Sequence, residues 1–418
     1  MSLSQRHSKQ SATLKKLATA QTLSGLGVTG TFAAGSLLVV QITGSEALAG
    51  LVQTSTVVGA ALLALPLARW TDLGGRRRSL GFGYFLGAIG ATFAFIGGVQ
   101  KIFPMILIGA AMIGGASAAG YQARFAAVDL SDDNHRARDL SMVVWASTIG
   151  SVLGPNLMEP AGDFARSIGL PKLVGPYLVA IVMLTLAASI ITLFLRPDPF
   201  LLAREERGEV YTRQKRAFRQ AFTTVKTIPR AWLALHAIVI GHIAMVTIMV
   251  MTPVHMAHVD VSLRLIGLVI SVHVLGMYAL SPVVGKIVDH YGRVKTILIG
   301  VTILLISALI SGLAYADAVV QLGIGLFLLG LGWSCTLIAG STLLAESLPD
   351  EIKASGQGLS DLCMNGGGAI GGALAGIVIA FSSYGWLCAL MALPVLYLGG
   401  QAWGLRVTSK QREKSDAG

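Results

Sequence analysis

The sequence predicts an all-α membrane protein of twelve transmembrane helices in two pseudo-symmetric six-helix bundles. Three observations carry that prediction. Of 418 residues, 54% are hydrophobic and 13% charged, too little polar surface to cover a water-soluble particle of this size. Apolar runs of roughly 20 residues, the length needed to cross a hydrocarbon core of about 30 Å, recur along the chain. The most distinctive polar positions also repeat at an offset of 217 residues.

The apolar runs lie near 19–42, 47–68, 80–99, 103–126, 140–160, 173–195, 231–252, 263–285, 296–315, 318–345, 357–382 and 386–405. An even number of crossings puts both termini on one side. Of the 32 Lys and Arg, all but Lys101, Arg166, Lys172 and Arg264 fall on that side, so both termini are expected in the cytoplasm. The formal charge of +11 therefore records topology, and nucleic-acid binding is not required. The expected organisation is a cytoplasmic tail over 1–18, a first bundle over 19–195, a cytoplasmic linker over 196–230, a second bundle over 231–405 and a tail over 406–418. Nine Lys or Arg make the linker strongly basic, and it has room for an amphipathic helix. The apolar run after the basic first 18 residues is longer than that of a signal peptide, so the first span is expected to be retained.

Cys335, Cys363 and Cys388 stand singly and form neither a disulfide framework nor a zinc cluster. No nucleophile, base and orienting group come together in the polar segments, so no enzymatic role and no cofactor are expected. A monomer is expected.

The repeat superimposes Asp72 on Asp289, Gly75 on Gly292, Arg76 on Arg293 and Asp129 on Glu346. It also carries Gly150 and Gly154 onto Gly367 and Gly371, which places closely packed helices at matching points of each half. Gly285-Lys-Ile-Val-Asp289-His-Tyr-Gly292-Arg293 resembles the signature loop of the major facilitator superfamily. The first-half copy has Ala68 where the leading glycine stands, but keeps Asp72, Gly75, Arg76 and Arg77. The resemblance covers the whole chain and implies two bundles that rock about a central site to give alternating access. In that reading Asp72, Arg76 and Asp129, and likewise Asp289, Arg293 and Glu346, form cytoplasmic gates. The plain alternative is loop charge that only sets topology.

Gly150-Ser-Val-Leu-Gly154-Pro155 resembles a motif of proton-coupled drug antiporters of the same superfamily. Glycine and proline also serve close packing and bending there. The first span and the core of the fourth lack Asp and Glu, which disfavours the antiporter reading.

The candidate site lies in the seventh and eighth spans. Met245 and Met249 share one helix face, as do His273 and Met277, each pair one turn apart. Thioethers are soft and suit Cu(I), and imidazole also accepts copper. Residues 236–277 hold five of the 13 Met and five of the eight His, a clustering for which packing offers no reason. Counted from the helix ends, Met245 lies about 12 Å and His273 about 15 Å below the outer surface, so both reach mid-bilayer. His255, Met256 and His258 are possible entrance ligands, whereas His236 and His242 read as packing or hydrogen-bonding residues.

Paired in this way, MxxxM in the seventh helix and HxxxM in the eighth resemble the hallmark of the CcoA-type copper importers. That resemblance implies copper uptake across the bacterial cytoplasmic membrane, handover to a cytoplasmic acceptor and supply of cbb3-type cytochrome c oxidase. Copper is then the transported substrate, and its uptake should depend on pH through His273, because a protonated imidazole cannot ligate. The alternatives are uptake of an organic solute such as riboflavin, drug/proton antiport, and a copper sensor that does not transport.

Overall fold

One helix of the computed structural model, which describes residues 3–44, 48, 51–132, 134–206, 217–257, 261 and 263–416, is too long for a single crossing. The helices of the first half are α1 (Leu3–Thr43), α2 (Leu51–Gln100), α3 (Phe103–Ala126), α4 (Arg136–Asn156), α5 (Met158–Ser167), α6 (Gly175–Ser189) and α7 (Pro199–Glu206). In the second half, α8 (Ala217–Thr227), α9 (Pro229–Ala257), α10 (Leu263–Tyr278), α11 (Ser281–Tyr291), α12 (Arg293–Gly312), α13 (Val319–Ser347), α14 (Lys353–Phe381) and α15 (Tyr384–Asp416) follow.

With 50 residues, α2 contains about 75 Å of helix, more than twice a hydrocarbon core. Its backbone turns at Gly75, where φ is 83° and ψ is 175°. A side chain at that position would also collide with the carboxylate of Asp198. The repeat reproduces the break at Gly292, with φ 92° and ψ 156°, between α11 and α12. Among the described residues ten helices are long and apolar enough to span a membrane, eleven when α4 and α5, bent by 50° across the break holding Pro155, are joined. Counting α2 as two spans about Gly75 makes twelve. The expected eighth span is α10 and α11 together, interrupted at Ala279 and Leu280.

The chain divides into two compact units. One contains Met1–Asp132, Met142–Phe218 and, from α14, Gln357–Asn365. In it α2 packs closely on α3 through small residues: Gly59 on Ala111, Gly87 on Ala116, and Gly90 facing Gly109. Gly150 and Gly154 of α4 lie on α1 at Thr22, Leu26 and Gly30. The helix α1 begins at Leu3, so the basic segment ahead of the first span is helical, and its Gln10 donates to the Ala127 carbonyl at 2.7 Å.

The second unit contains Asp133–Ser141, Arg219–Gly356 and Gly366–Gly418. Here Gly367 and Gly371 of α14 lie on α9 at Val239, Ile243 and Thr247. Those three positions are Thr22, Leu26 and Gly30 advanced by 217 residues, so the repeat extends to helix packing. In the linker, α8 buries Ala221 and Val225 and exposes Arg219, Gln220 and Lys226, as an amphipathic helix should; residues 207–216 lie outside the described residues. Large apolar side chains such as Leu62, Val320 and Phe381 are exposed on the helices, as expected where the solvent is lipid.

Candidate functional site

The methionine pair sits on α9 and the His-Met pair on α10, and α13 packs extensively against both helices. Direct contact between α9 and α10 is slight, so packing of these two helices does not bring the pairs together. The seam between α10 and α13 is close because Gly330 lies against the His273 carbonyl and the Met277 amide. Met245, Met277 and His273 are buried and Met249 is half-buried.

His273 has the most informative environment of the four. Its ring is fully buried, and Nδ1 is 2.8 Å from the Leu326 carbonyl of α13. A carbonyl only accepts, so Nδ1 carries the proton and Nε2 presents its lone pair. Nε2 has no partner among the described residues. His242 is different. The Trp333 indole donates to its Nδ1 at 3.2 Å, and Tyr278 packs edge-on to Trp333 with centroids 5.7 Å apart. That arrangement places the neutral His242 proton on Nε2, beside Gly368 of α14. His236 Nδ1 pairs with Gln401 Oε1 at 2.7 Å, between the rings of Trp232 and Tyr397.

Of the possible entrance ligands, Met256 is fully buried and His255 stacks on Tyr384, with centroids 4.4 Å apart and rings 11° from parallel. Tyr384 is itself held by Thr252 at 2.8 Å. His258 lies outside the described residues. Among the described residues no three His, Cys, Asp or Glu side chains form a group that could hold a metal ion.

The loop charges form two networks. Arg76 is fully buried and grips Asp129 with Nε at 2.8 Å and Nη2 at 3.2 Å, and it also reaches Gln357 at 2.7 Å and Gln122 at 3.4 Å. In the other unit Arg293 meets Glu346 through Nε at 3.1 Å and Nη2 at 2.6 Å. Asp289 accepts from the Ala137 and Arg138 amides at the start of α4, at 3.1 and 2.9 Å, and stands 3.8 Å from Arg293. A carboxylate is well placed there, since unpaired amides and the helix dipole converge at a helix N-terminus. Asp72 is half-buried, and its backbone carbonyl is 3.4 Å from Arg204.

Two carboxylates outside the predicted site have partners that sequence reasoning did not foresee. Asp198 accepts from the amides of Arg77, Phe200 and Leu201 at 2.7, 3.0 and 3.2 Å, which caps α7 and holds the Gly75 turn. Its signal was an Asp immediately before Pro199 and a helix. Arg124, near the end of α3, pairs with Asp361 of α14 at 2.6 Å, both side chains being buried. The signal for that pair was a basic residue inside an apolar span.

Helices of this length and apolarity, broken at matching glycines and tied by matching loop charges, define a multi-pass membrane transporter. The chain belongs to the Major Facilitator Superfamily, whose sequence profile matches residues 17–260 and 243–417. It is not an enzyme. It is 33% identical over 394 residues to the uncharacterized MFS-type transporter YddS of Bacillus subtilis, covering 92% of this chain and 90% of that one. It is 25% identical over 352 residues to the riboflavin transporter RfnT of Brucella anthropi, covering 84% of each. Among solved structures, a bacterial homologue of the iron transporter ferroportin in its outward-facing state shares the fold with a TM-score of 0.72 at 13% identity, over 94% of this chain and 98% of that one.

Proposed function

We propose that this transporter imports copper as Cu(I) across the bacterial cytoplasmic membrane by alternating access, with both termini in the cytoplasm and a cytoplasmic acceptor taking the ion. His273 carries the reading. A metal-binding histidine ordinarily donates its second ring N–H to a carbonyl or carboxylate, which fixes the tautomer and aims the other nitrogen at the metal. The Leu326 carbonyl is placed as such an acceptor, and the buried Nε2 has no partner among the described residues. Met245, Met249 and Met277 would supply the soft ligands as the helices move. The resemblance to CcoA-type importers extends the route to cbb3-type oxidase assembly.

A second reading, uptake of an organic solute, is favoured by the similarity to the riboflavin transporter RfnT. In that case Met and His line a cavity. The deciding experiment is radiolabelled copper uptake in cells lacking their own importer, with riboflavin uptake run in parallel. Wild type should accumulate copper, Met245→Ala and His273→Ala should not at equal membrane abundance, and Trp145→Ala should behave as wild type. Riboflavin accumulation without copper accumulation would replace the first reading with the second.

A further inference from the structure

Arg76, Arg293 and Arg124 each meet a carboxylate inside the protein, but they are not equally well served. Arg76 has partners on all three of its nitrogens, and so does Arg293, whose Nη1 reaches the Val288 carbonyl at 3.4 Å. Among the described residues Arg124 makes one hydrogen bond, from Nη2 to Asp361 Oδ1 at 2.6 Å. Its Nε and Nη1 are buried without partners among the described residues, and so is the second carboxylate oxygen, Asp361 Oδ2. The guanidinium lies 4.6 Å from the Phe125 ring centroid and 5.9 Å from that of Tyr121. The charged and titratable groups facing Asp361 are Arg124 and Tyr121 from α3 and Arg76 from α2.

A buried ion pair kept for architecture should resemble Arg76 and Asp129, with two parallel bonds and further partners for the remaining N–H groups. A pair joined by one bond, with a bare oxygen, is a poor fastener. Among the described residues that oxygen is an acceptor with no donor, as the site of a transferable proton should be. An intramembrane carboxylate is costly to keep and ordinarily marks an ion or proton pathway.

We propose that Asp361 is the proton-binding group that couples transport to the proton gradient, with Arg124 as its counter-ion. A proton adds to Oδ2 and turns the carboxylate into a neutral acid. No covalent bond breaks, but the Arg124 bond changes from a charge pair to a bond between a cation and a neutral carbonyl. Gln357–Asn365 of α14, held by Arg124 and by the 2.7 Å bond from Arg76 to Gln357, is loosened from α3. Release of the proton on the opposite side of the membrane restores the pair. The inference rests on the transporter class and stands whichever solute is carried.

Infrared difference spectra of the full-length protein in lipid, recorded between alkaline and acidic pH, test it without any solute. Wild type should gain a protonated-carboxyl band that is missing in Asp361→Asn and shifted in frequency in Asp361→Glu. The shift keeps the test decisive if the asparagine variant misfolds. An identical band in wild type and both variants, or no band, would overturn the proposal. In proteoliposomes at fixed outer pH, an alkaline lumen should raise Cu(I) uptake roughly tenfold, within the ordinary range of coupling between two sites. Asp361→Asn should lose that stimulation and keep copper exchange, whereas loss of both would mean that the pair is only structural. If copper is not carried, riboflavin replaces it in the vesicles, and the infrared result still decides the proton site.

Discussion

Alanine at Gly75 and at Gly292 separates two costs that the internal repeat superimposes. Both residues adopt positive φ, 83° and 92°, with extended ψ. A residue with a Cβ held there costs about 1–3 kcal/mol of backbone strain. At Gly292 an added methyl meets nothing within 4 Å, so Gly292→Ala should cost about that strain alone. At Gly75 the methyl runs into Asp198, whose carboxylate accepts three backbone amides at 2.7, 3.0 and 3.2 Å. Hydrogen bonds to a charged acceptor are worth about 1.5–3 kcal/mol each, so displacing the carboxylate should make Gly75→Ala worse than Gly292→Ala by at least about 2 kcal/mol. The assay is chemical unfolding of the full chain in mixed micelles, run as a double-mutant cycle with Asp198→Ala. Once the carboxylate is gone, Gly75→Ala should cost only the backbone term, so the double variant should be more stable than the two single losses predict. Equal costs at the two glycines, or an additive cycle, would refute the steric reasoning.

Arg76→Lys should lose about 3–5 kcal/mol in the same unfolding assay, because lysine cannot reproduce the two-pronged grip on Asp129 and the Gln357 bond. Arg293→Lys, at a more exposed pair, should lose about 1 kcal/mol. Trp333→Phe should cost about 1–3 kcal/mol by leaving His242 Nδ1 without its indole donor, yet leave copper affinity measured by competition with a chelator unchanged. Gly154→Leu should cost about 1–3 kcal/mol by wedging α4 from α1 at Thr29 and Gly30. Gly376→Leu, at a position where an added Cβ meets nothing within 4 Å, serves as its control and should be near neutral.

The spans were legible because a bilayer leaves the chain little choice: every crossing needs a long apolar helix, and that length is written locally. The breaks were legible in part. Pro155 announced the bend between α4 and α5, and Gly75 in a charged loop announced a turn, although not that helix would continue on both sides of it. Side-chain partnerships were harder to read. Arg76 with Asp129 and Arg293 with Glu346 could be guessed because both pairs recur at one offset. Arg124 and Asp361, 237 residues apart, have no recurrence to betray them. Nor does local spacing reveal that α13 packs against both α9 and α10, and so a helical face shared by two donors says nothing about which neighbour it meets.

The repeat itself sorts architecture from chemistry. Moved back by 217 residues, Gly292 and the loop charges Asp289, Arg293 and Glu346 land on a glycine and on charges of the same sign, and the α14 seam lands on the α4 seam. Met245, Met249, His273 and Met277 land on Val28, Phe32, Thr56 and Ala60, none of which is a soft donor or an imidazole. His242 and Trp333 land on Gly25 and Ala116. The ion pair departs from the repeat in both directions, since Asp361 falls on Val144 and Arg124 on Ser341. A fold that moves by rocking two similar halves needs matched hinges and matched loop contacts, so duplication preserves those features. Binding a particular solute and a particular coupling ion needs only one site of each, and a second copy would leave costly polar groups in the membrane without a use. Positions where the halves disagree in polarity inside a span are therefore where the solute and the coupling ion should be sought, and the His273 face of α10 and the Arg124 face of α3 are two such places.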